Sequence, residues 1–323
     1  MKHSRACVVV LLVVPILWSG AAYSQQPASV APEPEEKKQE AIYQSRGETV
    51  PSGYVVDRSL ASYSTSLPAG FDRELSSLGP RDRWLDIGAG EGNAVLDYYT
   101  SRYDLMYPDG PDEHSKKARA VAISIEDRRT PRWNEVASRL EPDKIRYLFG
   151  KRMREYSADD LGRFRLITDH LGGFSYARDL SLFMENVLGV LELNGSFFSL
   201  LLDVRPETEP DPALYKDLLL LTEIENPDGS NVKICSWLKS ISCVRVTCEL
   251  NTELKRPIEL YRVQKVCDSV AVPPLVPVSY TAGTPPPRLY QLRKLTAKSP
   301  AQPPAQETAK SLAEPASRQP EPR

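Results

Sequence analysis

Three glycines at alternate positions, Gly88, Gly90 and Gly92, directly follow the apolar run Trp84-Leu85-Asp86-Ile87 and precede a segment with helical spacing. Side chains in a strand-to-helix turn of this kind would block a ligand from the backbone amides at the helix start, and glycine leaves the approach open. The spacing separates two kinds of ligand loop. A dinucleotide-binding turn has the pattern Gly-x-Gly-x-x-Gly/Ala, but here Asn93 stands at the third position and Gly92 comes one residue early.

The chain around this turn alternates strand and helix. Trp84 to Ile87 is the first strand, Ala120 to Ile125 the second, Ile145 to Phe149 the third, Phe164 to Thr168 the fourth and Ser196 to Leu202 the fifth. Helical spacing falls between them at Ala94 to Tyr103, Trp133 to Leu140 and Arg178 to Leu193, the last with Asn194-Gly195 as its stop. Met106 to Lys117 is a polar insertion that carries Pro and Gly. Strands separated by helices imply a parallel sheet covered on both faces. After a helix near Val232 to Ile241 the rhythm breaks, and Val244 to Leu250 and Pro257 to Val266 are expected to form an antiparallel hairpin.

The Asp-x-Gly-x-Gly-x-Gly run at Asp86, Gly88, Gly90 and Gly92, at the end of the first of five strands that a hairpin follows, resembles the first motif and layout of the class I S-adenosylmethionine-dependent methyltransferases. The resemblance covers residues of about 50–267. It implies an α/β, Rossmann-like fold: a mostly parallel seven-stranded sheet with a terminal antiparallel hairpin and helices on both faces. It also implies S-adenosylmethionine as cofactor. Asp86, Gly88 and Gly90 then match the positions that hold its amino-acid end, and Gly92 opens the helix. Glu126 matches the acid that accepts hydrogen bonds from both ribose hydroxyls, a task suited to two acceptor oxygens. Asp127 competes for this role, since one residue of register decides which side chain faces the ligand. The chain departs from the family after the third strand, where Gly150-Lys151 replaces the common adenine-contacting acid.

The fourth strand ends in Thr168-Asp169-His170-Leu171-Gly172-Gly173, where the family places groups facing the transferred methyl. Methyl transfer is a direct displacement, so a protein mainly aligns the nucleophile and removes its proton when needed. Asp169 and His170 are the catalytic candidates, each with a plainer alternative: Asp169 as the cap of a turn, His170 as a packed side chain. No Asn/Asp-Pro-Pro-aromatic motif is present, which disfavours amino-group methylation of bases or glutamine. Tyr54, Tyr63 and Phe71, ahead of the first strand, are candidates for covering the ligand. The expected partner is a small-molecule or protein methyl acceptor. No Gly-x-Ser-x-Gly elbow, P-loop or His-Glu-x-x-His run occurs, so hydrolase, nucleotidase and zinc-protease readings have no foothold.

Lys2 and Arg5, the apolar stretch Val8 to Trp18 and the small residues around Ala22-Tyr23-Ser24 read as an export signal, with cleavage after Ser24 and a periplasmic or secreted destination. The stretch is short for a span of roughly 30 Å and holds Pro15, so no stable membrane span is expected in the mature chain. Residues 25–45 read as a disordered linker, 46–270 as the methyltransferase-like domain and 271–323 as a Pro-rich, largely disordered tail, of which part of 275–294 is a candidate for packing on the domain. A net charge of −2 without a long Lys/Arg block argues against a nucleic-acid partner.

Beyond Cys7, the cysteines are Cys235, Cys243, Cys248 and Cys267. An even, clustered set in an exported chain suggests disulfides. A turn near Glu253 would bring Cys243 and Cys267 together at the open end of the hairpin, leaving Cys235 for Cys248. A metal site is not expected, because no Cys-x-x-Cys pair occurs and His114 and His170 lie far from the cysteines in sequence. S-adenosylmethionine is made in the cytosol, so export leaves a rival open: a binding or interaction protein that keeps the fold without the reaction.

Overall fold

The structure is a computed structural model that describes residues 37–38, 57–100, 109–208, 218–251 and 256–293. The export signal 1–24, most of the linker, Tyr54, the hairpin turn 252–255 and the chain beyond 293 lie outside the described residues. Two short helices come first, α1 (Leu60–Ser66) and α2 (Phe71–Ser77). The alternating part then runs β1 (Arg83–Ile87), α3 (Asn93–Tyr99), α4 (Pro111–Lys116), β2 (Arg119–Ile123), α5 (Pro131–Arg139), β3 (Ile145–Leu148), α6 (Ala158–Leu161) and β4 (Phe164–Asp169). It continues with α7 (Gly173–Tyr176), α8 (Leu180–Val190), β5 (Leu191–Leu202), β6 (Thr222–Glu225), β7 (Asn231–Val232), α9 (Ile234–Lys239), β8 (Val244–Asn251), β9 (Ile258–Lys265), β10 (Leu275–Tyr280) and β11 (Arg288–Leu292).

The main sheet has seven strands in the order β3-β2-β1-β4-β5-β9-β8. β1 to β5 are parallel, and the hairpin β8-β9 joins antiparallel to β5. This is the sheet that the glycine motif implied. Burial on both faces explains why the central strands are continuous apolar runs. Leu85, Ile87, Val121, Ile123 and Ile167 pack with α8 and α9 on one face. Trp84, Ala120, Ala122, Leu166 and Phe198 pack with α1, α2, α3 and α5 on the other.

Side-chain caps explain several helix starts. Thr130 accepts from the Trp133 amide at α5, where Pro131 takes the first helical turn without loss of a hydrogen bond, and Asp179 accepts from the Leu182 amide at α8. Helix α8 ends earlier than its sequence suggests. α8 stops at Val190 and the chain passes directly into β5; Asn194, at φ 62°, and Gly195 lie within the irregular first half of that strand rather than at a helix end. Leu182 is exposed, whereas Leu180, Phe183, Met184, Val187, Leu188 and Val190 are buried. Among the described residues of the polar insertion before β2, Pro111–Lys116 form the short helix α4.

A second sheet, of order β10-β11-β6-β7, has no counterpart in the sequence expectations. Its strands come from both sides of the hairpin: β6 and β7 precede it, and β10 and β11 follow it. The packing of 275–292 on the domain is thus through paired strands, with Leu275 and Tyr290 in the main core.

Disulfides join Cys243 to Cys267, with Cα atoms 5.0 Å apart, and Cys235 to Cys248, with Cα atoms 6.2 Å apart. The first closes the open end of the β8-β9 hairpin, and the second ties α9 to β8. The first is the bridge expected from the hairpin, and the second is the pair that it leaves. Replacing Cys243 and Cys267 together by alanine is expected to lower the unfolding free energy by about 3 kcal/mol, measured in urea under non-reducing conditions. A variant as stable as the wild type would contradict that linkage.

Candidate functional site

β1 delivers Asp86 to the α1 face of the sheet, and its register with β4 sets Thr168 beside it. Asp86 has no exposed surface. Its carboxylate accepts from the Thr168 hydroxyl at 2.8 Å and from the Tyr63 hydroxyl at 3.0 and 3.1 Å, and Thr168 in turn accepts from the Trp84 indole at 2.8 Å. Burial pushes the Asp86 carboxyl up to about 7, against the opposing pull of Thr168, Tyr63 and the Arg58 charge. Burial first, and then the Asp86 charge, holds the Tyr63 phenol far above its usual range, so Tyr63 is a donor at every ordinary pH.

The chain leaves β1 in the glycine loop. Gly88, Gly90 and Gly92 have φ of 72°, 56° and 78°, in the left-handed region that favours glycine. A Cβ on Gly88 would stand 2.5 Å from the Gly172 Cα, and one on Gly92 2.5 Å from the Trp133 ring. The loops after β1 and β4 therefore touch backbone to backbone, and only glycine on both sides permits it. Gly92 also caps α3, as expected.

Glu126 lies three residues past the end of β2, in the loop rather than at the strand end. The Tyr147 hydroxyl, from β3, stands 2.5 Å from the Gly90 carbonyl and 3.4 Å from the Glu126 carbonyl, which brings this loop against the glycine loop. Arg128 lies 3.9 Å from both Glu126 and Asp57 carboxylates, and Asp57 accepts from the Glu91 amide at 2.9 Å. The competitor Asp127 instead pairs with Arg129 at 2.6 Å. Gly150-Lys151 forms the turn after β3, with the Lys151 ammonium 5.6 Å from the Tyr156 ring.

Asp169 points to the opposite face from Asp86. Its two oxygens accept from the amides of Gly172 at 2.8 Å and Phe174 at 2.9 Å, so it holds the turn into α7. Burial raises its carboxyl to about 7. His170 is 5% exposed, its ring centroid is 5.0 Å from that of Tyr63, and neither ring nitrogen has a hydrogen-bond partner among the described residues. Burial, followed by the nearby Arg58 charge, pushes the imidazole down to about 3, so it is neutral at pH 7. Of the two cover residues described, Tyr63 reaches the site, and Phe71 packs in the core against Phe198. Thr168 and Tyr147 contribute without belonging to any motif of the sequence; the one sign of Thr168 is a small polar residue in the otherwise apolar run Leu166-Ile167-Thr168.

Seven strands with a closing hairpin, and a glycine loop at the end of the central β1, decide the architecture. The fold is that of the class I methyltransferases. Solved structures similar to the chain include an rRNA methylase from Streptococcus thermophilus, with 13% identity, TM-score 0.36 and coverage of 61% of this chain and 94% of that one. Also similar are the N-methyltransferase NodS of Bradyrhizobium japonicum, with 14% identity, TM-score 0.35 and coverage of 60% and 90%, and a geranyl diphosphate methyltransferase in complex with S-adenosylmethionine, with 12% identity, TM-score 0.38 and coverage of 60% and 82%. These likenesses are faint, and the fold assignment stands on the sheet order itself. No protein-family model matches the sequence, and no curated protein matches it.

The buried groups make stability depend on pH in opposite senses. Raised carboxyls at Asp86 and Asp169 favour the folded state most below pH 3.8, and that benefit is lost as pH rises through about 7. The lowered His170 disfavours the folded state as pH falls from 6.5 towards 3. Replacing His170 by phenylalanine is therefore expected to raise stability at pH 5 relative to pH 7 by about 2 kcal/mol over the wild type, in urea unfolding. The same pH slope in both proteins would show that the imidazole is not held neutral. Gly172→Ala is expected to cost about 2 kcal/mol or more, because its Cβ would meet the Ile87 carbonyl oxygen at 2.5 Å; an unchanged urea midpoint would contradict the close approach.

Proposed function

We propose that the protein is an S-adenosylmethionine-dependent methyltransferase that takes its cofactor across the C-terminal ends of β1, β2 and β4. The observation that carries this reading is the meeting of the glycine loop with the Glu126 loop through Tyr147. Ligands of open α/β sheets bind outside the strand ends where the strand order reverses, and β1 lies at such a point, between β2 and β4. In this arrangement Gly88 and Gly90, supported by Asp86, receive the amino-acid end, and Glu126 receives the ribose hydroxyls. The unbonded nitrogens of buried His170 fit the same reading, since such atoms ordinarily have a partner and a polar ligand beside the ring would supply one.

S-adenosylmethionine supplies the activated methyl group when bound. The chain's own task is then to orient the acceptor and exclude water. A neutral imidazole at His170 can accept a hydrogen bond from the acceptor's nucleophile, and its low basicity suits orientation better than storage of a proton. Asp169 supports this indirectly by fixing the turn that carries His170. The acceptor is a small molecule or a protein nucleophile. The mature protein begins after the export signal, in an oxidising compartment in keeping with its two disulfides.

A second reading, an exported binding protein that keeps the fold without the reaction, is favoured by Asp169. Both of its oxygens are engaged by backbone amides, which leaves that carboxylate poorly placed to act as a base. Purified protein is expected to bind S-adenosylhomocysteine in calorimetry, and Gly90→Arg is expected to abolish binding by filling the loop. Absence of binding by the wild type would remove the cofactor reading. Binding without methyl transfer to any component of an extract from the protein's own compartment would favour the second reading.

A further inference from the structure

Arg288 is a buried cation that the proposed chemistry does not use. It opens β11 in the second sheet and is 3% exposed. Its Nη1 donates to the carbonyls of Phe174 at 3.0 Å and Ala177 at 2.8 Å, and its Nη2 donates to the Thr222 hydroxyl at 2.6 Å. Tyr290, two residues on and on the same strand face, donates to the Ala177 carbonyl at 2.7 Å, and Tyr280 of β10 donates to the Tyr176 carbonyl at 3.2 Å. Four of these five hydrogen bonds end on backbone carbonyls of α7 and its C-terminal flank.

α7 has four residues and cannot hold its own shape. It is gripped at both ends: Asp169 takes the amides of Gly172 and Phe174, and Arg288, Tyr280 and Tyr290 take the carbonyls at the other end. Within the first grip lie Gly172, against Gly88, and Gly173, where a Cβ would meet the Phe183 ring at 2.6 Å. Burying a guanidinium is costly, and an apolar side chain would fill the same space without that cost. What the guanidinium adds is direction: a planar fork aimed at the Phe174 and Ala177 carbonyls, which a helix this short leaves without the i+4 amide of a longer one.

We propose that Arg288, aided by Tyr280 and Tyr290, is a positioning residue that sets the loop His170–Gly173 against Gly88, so that the C-terminal strands β10 and β11 form part of the ligand-binding apparatus. It acts through α7 and does not touch the ligand. The proposal rests on the cofactor reading above, and it further specifies which end of the ligand depends on the second sheet. The Gly172–Gly88 contact lies at the amino-acid end, whereas Glu126 serves the nucleoside.

Two probes separate these ends: S-adenosylhomocysteine, and 5′-methylthioadenosine, which lacks the amino acid. Calorimetry on the full chain is expected to show Arg288→Met weakening S-adenosylhomocysteine by about tenfold while leaving 5′-methylthioadenosine nearly unchanged, with partial recovery in Arg288→Lys. Tyr290→Phe keeps the ring in the core, and it is expected to show the same selective loss, about threefold, should Arg288→Met fail to fold. Equal weakening of both probes would mark a merely structural role and overturn the proposal. Unchanged S-adenosylhomocysteine affinity in Tyr290→Phe and any folded Arg288 variant would overturn it and leave the cofactor reading standing. If the wild type binds neither probe, the cofactor reading falls and takes the proposal with it.

Discussion

A carboxylate without solvent sits at the centre of the sheet, and the arrangement around it follows from the need to satisfy it. Asp86 is wholly buried, so its oxygens require donors from within the protein. Thr168 supplies one across the β1-β4 pairing, and Tyr63 supplies the other from α1. The N-terminal helix is thereby tied to the end of the strand that begins the glycine loop. Trp84 completes the chain of donors by bonding Thr168, so a bulky indole and a small hydroxyl become mutually dependent on one face of the sheet.

The opposite face is organised by Asp169. Adjacent pairs in the β1-β4 register place Asp86 with Thr168 and Ile87 with Asp169, so the two acids are sent to different sides of the sheet. Each is raised to about 7 by burial, and each is held by hydrogen-bond donors, Asp86 by two hydroxyls and Asp169 by two backbone amides. One holds helix α1 through Tyr63, and the other holds the turn into α7. The glycines make the two arrangements compatible, because Gly88 and Gly172 allow the loops above the two strands to meet.

Much of this was legible in the chain. The Asp-x-Gly-x-Gly-x-Gly spacing, the five apolar strands and the late hairpin lead to the seven-stranded sheet, and the hairpin leads to both disulfides. The second sheet was not legible, for a physical reason. Its strands are short, come from two stretches separated by the hairpin, and include Pro277 within β10 and three prolines just before β11, so local composition resembles a loop or tail. A sign was present in Arg288-Leu289-Tyr290-Gln291-Leu292, where period-two alternation puts Arg288 on the same face as Tyr290 and Leu292. The capping role of Asp169 was foreseen only as an alternative, since it depends on amides three and five residues away that a sequence does not orient.

The central claim is that the meeting point of the glycine loop and the Glu126 loop is a cofactor site. A crystal structure of the protein saturated with S-adenosylhomocysteine tests it most directly. The ribose hydroxyls are expected to lie within hydrogen-bonding distance of the Glu126 carboxylate, with the amino-acid end over Gly88 and Gly90. Ligand bound elsewhere, or bound at this loop with Glu126 turned away from the ribose, would contradict the account.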